Sequence, residues 1–219
     1  MPISQASKKD KTILINESTL RLLGTVHGLR REGERVRAAF EDMQPDIIAV
    51  GIPEEDIKTL DSCISEEINF EASEEQKYYF DYLSTFGEVC IPPTDLVVAH
   101  LLAKENNLPL EALDIDDEKY AYLFTKKVSI LGLLRMTHKT KKERKRGFSA
   151  KSPEAFSLEW NEHINATKQL QDIKTAQQQH MADRLFEITQ QYGRILAVLP
   201  FPQFEGVLEH LSTLKKHKK

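Results

Sequence analysis

Two short apolar runs, at residues 12–15 and 20–23, are separated by Asn16-Glu17-Ser18-Thr19. That pattern predicts two strands joined by a tight turn. The second run leads directly into Gly24-Thr25-Val26-His27-Gly28. Beyond it, Val36, Ala39, Phe40 and Met43 recur at spacings of three and four, which predicts a helix over 30–43 with one apolar stripe. Pro45 marks its end. Residues 46–52 then form a continuous apolar run, and a strand buried on both faces is what a parallel sheet requires. Residues 20–52 therefore read as a β-α-β unit, which should be right-handed.

The alternation continues more loosely. A helix is expected near 74–86, with Tyr79, Phe80 and Leu83 on one side, and a short strand at 88–91. Pro92-Pro93-Thr94 introduces a helix to about residue 106, with Thr94 as its N-cap. Residues 108–115 form a further strand, and Asp114-Ile115-Asp116-Asp117 is placed to cap the next helix. The pattern is helical over 118–135, and then a basic run, Gly147 and Ser152-Pro153 interrupt it. A long helix is expected over 154–192, a buried strand over 194–199 closed by Pro200, and a last helix over 204–214. The fold class is α/β: a mostly parallel central sheet flanked by helices, an N-terminal β-hairpin and a long C-terminal helical region. Residues 24–27 lie just past the carboxyl end of a strand, where open α/β sheets place their ligands. In this division residues 1–11 are a disordered polar terminus and 12–212 one domain. Residues 136–152 are a basic loop insertion, and 213–219 a basic tail.

Composition adds bounds. The chain has 219 residues, 40% hydrophobic and 29% charged, with 9 Gly and 9 Pro. This is ordinary globular composition with little room for long linkers. The net charge of −4 hides an asymmetry. Residues 135–151 carry eight Lys/Arg against Glu143, a local +7, so the remainder carries −11. The two cysteines, Cys63 and Cys90, form no C-x-x-C pair, so no disulfide framework or structural zinc site is expected. The N-terminus lacks the apolar stretch of a signal peptide, and no run reaches the ~20 residues of a membrane span. A cytoplasmic protein is the expectation.

Four segments carry a resemblance. They are Leu22-Leu23-Gly24-Thr25-Val26-His27, Gln44-Pro45-Asp46-Ile47-Ile48-Ala49-Val50, the stretch 103–116, and His180-Met181-Ala182-Asp183-Arg184-Leu185 followed by Ile195-Leu196-Ala197-Val198. In this order and spacing they resemble the TraB/PrgY family. That family is related to the Tiki metalloproteases and more distantly to ChaN-like and erythromycin-esterase-like proteins. The chain is similar to a divergent member, and the match is spread over most of residues 12–210.

The resemblance implies a metal-dependent hydrolase. Its functional residues are the histidine of the G-T-x-H turn, the glutamate of a V-E-L motif and a histidine in a late G-x-G-H-x-x-G-I turn. A catalytic metal takes about three protein ligands and keeps one position open for water. Here His27 stands on the first position. The glutamate position falls on Gly51 and the late histidine on Gln203, while Asp114 and Asp116 keep the acids of a D-R-D motif around Ile115. Glycine supplies no ligand and glutamine a poor one for a transition metal. No cofactor is therefore expected, with a divalent metal left as the alternative.

Other residues leave two roles open. Glu54 either starts a helix, where acids favour the N-terminal dipole, or joins Asp114 and Asp116 in a site rebuilt around His27. His27 is either a backbone-bonding relic or functional. Gly24, Thr25 and Gly28 shape its turn, whose N–H groups suit an anion. The basic patch of Lys139, Lys141, Lys142, Arg144, Lys145 and Arg146 is either a solvated loop or an electrostatic site for nucleic acid or another anionic partner. No RRM, KH or helix-turn-helix motif accompanies it. Long helices and the hairpin leave a homodimer open. The leading function is a TraB-like domain that is non-catalytic or ligand-binding. Its alternatives are a rebuilt metallohydrolase and an anion or nucleic-acid binder.

Overall fold

The computed structural model describes residues 9–65, 73–129 and 147–217. Among them lie β1 (Asp10–Ile15), β2 (Ser18–Thr25), α1 (Arg30–Met43), β3 (Ile47–Val50), α2 (Glu54–Ser65), α3 (Glu74–Leu83) and α4 (Thr94–Glu105). They are followed by β4 (Leu110–Ala112), α5 (Asp117–Lys127), α6 (Pro153–Ile164), α7 (Lys168–Ile188), β5 (Arg194–Pro200) and α8 (Phe204–His217). The strands form one sheet in the order β1-β2-β5-β3-β4. β1 and β2 are the expected hairpin, with Ile15 opposite Ser18 and Asn16 at a φ of 54° in the turn. β2, β5, β3 and β4 run parallel.

The alternation of side chains across the pleat divides the core in two. Leu20, Leu22, Ile47, Ala49, Ile195, Ala197 and Leu199 pack on one face with Met181, Leu185, Phe204 and Leu211 of α7 and α8. Leu23, Ile48, Val50, Leu196 and Val198 pack on the other with Val36, Phe40, Ala99 and Leu102 of α1 and α4. All of β3 and five consecutive residues of β5 are buried, which explains their unbroken apolar runs. Because β5 is inserted between β2 and β3, the helix after β2 and the helix after β5 cover opposite faces. A crevice opens between such strands at their carboxyl ends.

Several local expectations are corrected. Residues 88–91 form no strand; only an isolated bridge joins Leu29 to Val89. The long helix is two helices, α6 and α7. Thr167 restarts the chain as an N-cap accepting from the Leu170 N–H at 3.4 Å, a side-chain device that a periodicity count does not register. Thr94 is not the cap of α4, since Pro93 holds that position. The Thr94 hydroxyl instead lies within reach of the carbonyls of Leu29 (3.0 Å) and Arg30 (3.2 Å), tying α4 to the start of α1. Asp10 and Lys11 are already in β1, and α8 continues to His217, into the stretch expected to be a tail. Residues 136–146, including every member of the basic patch, lie outside the described residues. No helix among the described residues is long and apolar enough to cross a membrane.

Candidate functional site

The carboxyl ends of β2 and β5 and the residues following β3 contribute Thr25, Pro200 and Ile52 to a cleft of about 1050 Å³. Residues of α2, α3, α5 and α6 line much of the remaining wall, with Leu96 of α4, Leu170 of α7 and residues 201–203 after β5. His27 enters it from the turn after β2. Gly28 has φ +102°, and a Cβ there would meet the Phe80 ring at 2.8 Å, so glycine is required for both conformation and space. The turn is held from outside. The Cys90 N–H donates to the Gly28 carbonyl at 2.8 Å and the Arg30 N–H to the Glu88 carbonyl at 2.9 Å.

Beneath His27 lies Asp95, the second residue of α4, whose side chain is fully buried. His27 Nδ1 makes a short hydrogen bond to Asp95 Oδ2. The Thr25 hydroxyl donates to the same oxygen at 2.6 Å. A buried carboxylate without partners costs several kcal/mol. Here a ring, a hydroxyl and the positive end of a helix dipole offset that cost. Burial opposes the charged imidazole, but the Asp95 carboxylate outweighs it and raises His27 above its ordinary value. Burial likewise opposes ionised Asp95, and His27 and then Thr25 hold it below the carboxylate range. Glu32 stands behind the pair, 1% exposed, with Arg35 Nη1 at 2.5 Å. Burial pushes Glu32 upward and Arg35 resists. Arg35 also donates to the Gly24 carbonyl at 3.0 Å, linking this ion pair to the end of β2.

Three buried polar atoms here have no hydrogen-bond partner: His27 Nε2, Asp95 Oδ1 and Gln203 Oε1. Such atoms are rare in folded proteins, and each calls for an explanation. Two of them belong to side chains that line the cleft, His27 and Gln203.

The structure thus places Thr25, His27 and Gln203 on the wall of one cleft. Gly24 and Gly28 frame the turn without lining the cleft; a Cβ on Gly24 would touch Lys9 and Phe204 at 3.1 Å. Glu54, Asp114 and Asp116 are not brought to His27. They line a separate hollow of about 270 Å³ with Glu111, Lys119, His180 and Arg184. Glu54 opens α2 and sits 3.7 Å from Lys58. Asp116 caps α5, accepting from the Lys119 N–H at 2.6 Å. Asp114 accepts from the Ile115 N–H at 2.8 Å and from the Gln177 amide at 2.9 and 3.1 Å. Burial pushes its carboxyl up to about 6. Asp95 is the site residue that sequence patterns do not single out. Its one signal is an acid directly after Pro92-Pro93-Thr94, at the first turn of a helix.

The metal that the resemblance implies does not fit these residues. Position 51 has no space for a side chain, because a Cβ would lie 2.5 Å from Pro200 Cδ and 3.3 Å from Leu199. His27 Nδ1 is engaged by Asp95, so the three positions that the resemblance implies supply only one imidazole nitrogen and one amide oxygen. Among the described residues no group of three or more His, Cys, Asp or Glu is placed to hold an ion. One imidazole with a carboxylate behind it is a common half of a metal site, but the described residues place no second half beside it.

Comparison with protein-family models and with curated proteins finds no match to the chain.

Proposed function

We propose that this chain is a divergent TraB-like α/β domain that binds a small organic ligand in the His27 cleft, with no resident catalytic metal. The observation that carries the reading is the His27–Asp95 pair. Asp95 fixes Nδ1 as the bonded nitrogen and leaves Nε2 without a partner on a cleft-lining side chain. The charged ring offers an N–H at Nε2. The neutral ring, with its proton on Nδ1 toward Asp95, offers a lone pair. The same atom can therefore donate to or accept from a bound group, and it can exchange a proton with it.

Cleft shape supports the reading. About 1050 Å³ is at the upper end of what small-molecule sites occupy, and the walls are mixed apolar and polar as such sites are. The location at the carboxyl ends of parallel strands beside an inserted strand is the usual one for ligands on open sheets.

The test has two arms on the full chain. Zn²⁺, Mn²⁺ and Co²⁺ are titrated into wild type and His27→Ala by calorimetry. A library of small organic compounds is screened on both proteins by thermal shift. The expected outcome is no stoichiometric His27-dependent metal binding, and compounds that stabilise wild type but not His27→Ala. One-to-one metal binding lost in His27→Ala would instead establish a metallohydrolase rebuilt around His27.

A further inference from the structure

Two regularities of the cleft wall are not used by the His27–Asp95 pair. The first is aromatic. Tyr79 and Phe80 come from α3, Tyr120 and Phe124 from α5, and Trp160 from α6. The rings of α3 and α6 are held by a larger cluster. The Tyr79 ring stacks on Phe156 at 5.3 Å and tilts against Trp160 at 5.3 Å, and Phe156 is completely buried behind them. The Tyr79 hydroxyl reaches the His27 carbonyl at 3.5 Å, so the rings begin where the His27 turn ends. Tyr120, from α5, remains 39% exposed.

The second regularity is charge. The charge-bearing side chains among the described lining residues are His27, His163, Asp56 and Glu75, and none is Lys or Arg. Asp95 and Glu32 lie behind His27 and add negative potential to it. Phosphate and carboxylate ligands are held by several cationic or N–H donors; the described residues of this wall supply no Lys or Arg, and the acids behind His27 offset its charge. An acyl chain gains nothing particular from ring faces. Flat rings do, through stacking, and a positively charged ring gains more.

Resting on the ligand-binding reading above, we propose that the ligand is a planar nitrogen-containing ring compound, neutral or cationic and free of phosphate and carboxylate. Its flat face lies among Tyr79, Phe80, Tyr120 and Trp160. Its polar edge meets His27 Nε2 and Gln203 Oε1, the two buried atoms that lack partners. One donor and one acceptor on the ring edge suit these two atoms, since an amide oxygen takes a donor and the imidazole nitrogen takes either.

The chain carries one tryptophan, Trp160, so its emission reports on this wall alone. The experiment titrates adenosine, AMP and octanoate into the full chain and reads Trp160 fluorescence together with the ¹⁵N shifts of the His27 ring. Adenosine and AMP differ by one phosphate, and octanoate supplies an acyl chain in place of a ring. Adenosine is expected to change the emission and to move the His27 resonances. AMP should require about tenfold higher concentration or more, and octanoate should do neither. Tyr120→Ala, at a partly exposed position, should weaken adenosine several-fold while leaving the unfolding midpoint unchanged. AMP or octanoate binding as tightly as adenosine, with His27 shifting, overturns the ring class and leaves the ligand-binding reading standing. Silence of all three probes overturns the ring class as well. The ligand-binding reading then stands or falls on whether the library screen yields a compound that depends on His27.

Discussion

Asp95 Oδ2 accepts hydrogen bonds from both the His27 ring and the Thr25 hydroxyl, while the carboxylate itself is wholly buried under the turn that carries them. The two donors come from β2 and the turn after it, the acceptor from α4, sixty-eight residues from His27. Their meeting makes the protonation of the cleft a property of the tertiary fold.

Replacing Asp95 by Asn should reverse the direction in which His27 moves. With the carboxylate gone, burial acts almost alone, and the ring should titrate below its ordinary 6.5 rather than above it. Proton NMR of the His27 ring across pH 4–9 reads this directly. A His27 value in Asp95→Asn still above 6.5 would mean that Asp95 is not what raises the ring.

The pair also shapes stability. His27, raised on folding, contributes stability that is fully present below 6.5 and is lost as pH rises through its folded value. Asp95, lowered on folding, contributes stability that is present above 3.8 and is lost as pH falls through its folded value. Urea midpoints for wild type should therefore fall away on both sides of a plateau. Both flanks should shrink in the His27→Ala, Asp95→Asn double variant.

Asp114 works in the opposite sense. Burial raises it from 3.8 to about 6, so its ionisation opposes folding. The penalty is absent below 3.8, grows as pH rises, and is complete above about 6. Each tenfold change in a protonation equilibrium is worth about 1.4 kcal/mol, which puts the penalty at up to about 3 kcal/mol at neutral pH. Asp114→Asn keeps an oxygen for the Ile115 N–H and removes the charge. It should stabilise the protein at pH 7.5 by a fraction of that figure and be neutral or destabilising at pH 4. Urea unfolding at the two pH values makes the comparison.

Placing a glutamate at position 51, as the TraB/PrgY resemblance would require, should fail for steric reasons. A side chain at Gly51 runs into Pro200 Cδ and Leu199. Overpacking of this kind costs about 1–3 kcal/mol. Both Gly51→Ala and Gly51→Glu should lower the unfolding midpoint, and Gly51→Glu should gain no Zn²⁺ affinity by calorimetry.

The aromatic cluster behind the cleft should be sensitive to its centre. Phe156 is completely buried and touches Tyr79, Tyr82, Phe86, Phe148 and Trp160. Phe156→Ala should cost about 3–5 kcal/mol and red-shift Trp160 emission, whereas Leu158→Ala, 40% exposed, should do little.

Much of the framework follows from the sequence because it is written in short-range pattern. The apolar runs of β3 and β5 announce strands buried on both faces, the stripe of Val36, Ala39, Phe40 and Met43 announces α1, and Asn16 announces the hairpin turn. These signals lie within a few residues of each other, and burial periodicity reports them directly. The split between α6 and α7 is less legible, because Thr167 ends one helical pattern and begins another without a proline or glycine at the break.

The site divides along the same line. Thr25 and His27 are readable from a glycine-flanked histidine after a strand, whereas Gln203 is singled out only by the TraB/PrgY resemblance. That Asp95 binds both Thr25 and His27, and that Glu54, Asp114 and Asp116 gather around a different hollow, is decided only by tertiary structure. The insertion of β5 between β2 and β3 sets which strand ends and helix starts meet at the cleft. The sequence determined which segments had to be buried, since the gain from removing apolar surface from water is roughly proportional to the area each segment carries. The partners of buried polar groups were fixed by contacts distant in sequence, whose geometry no local pattern encodes.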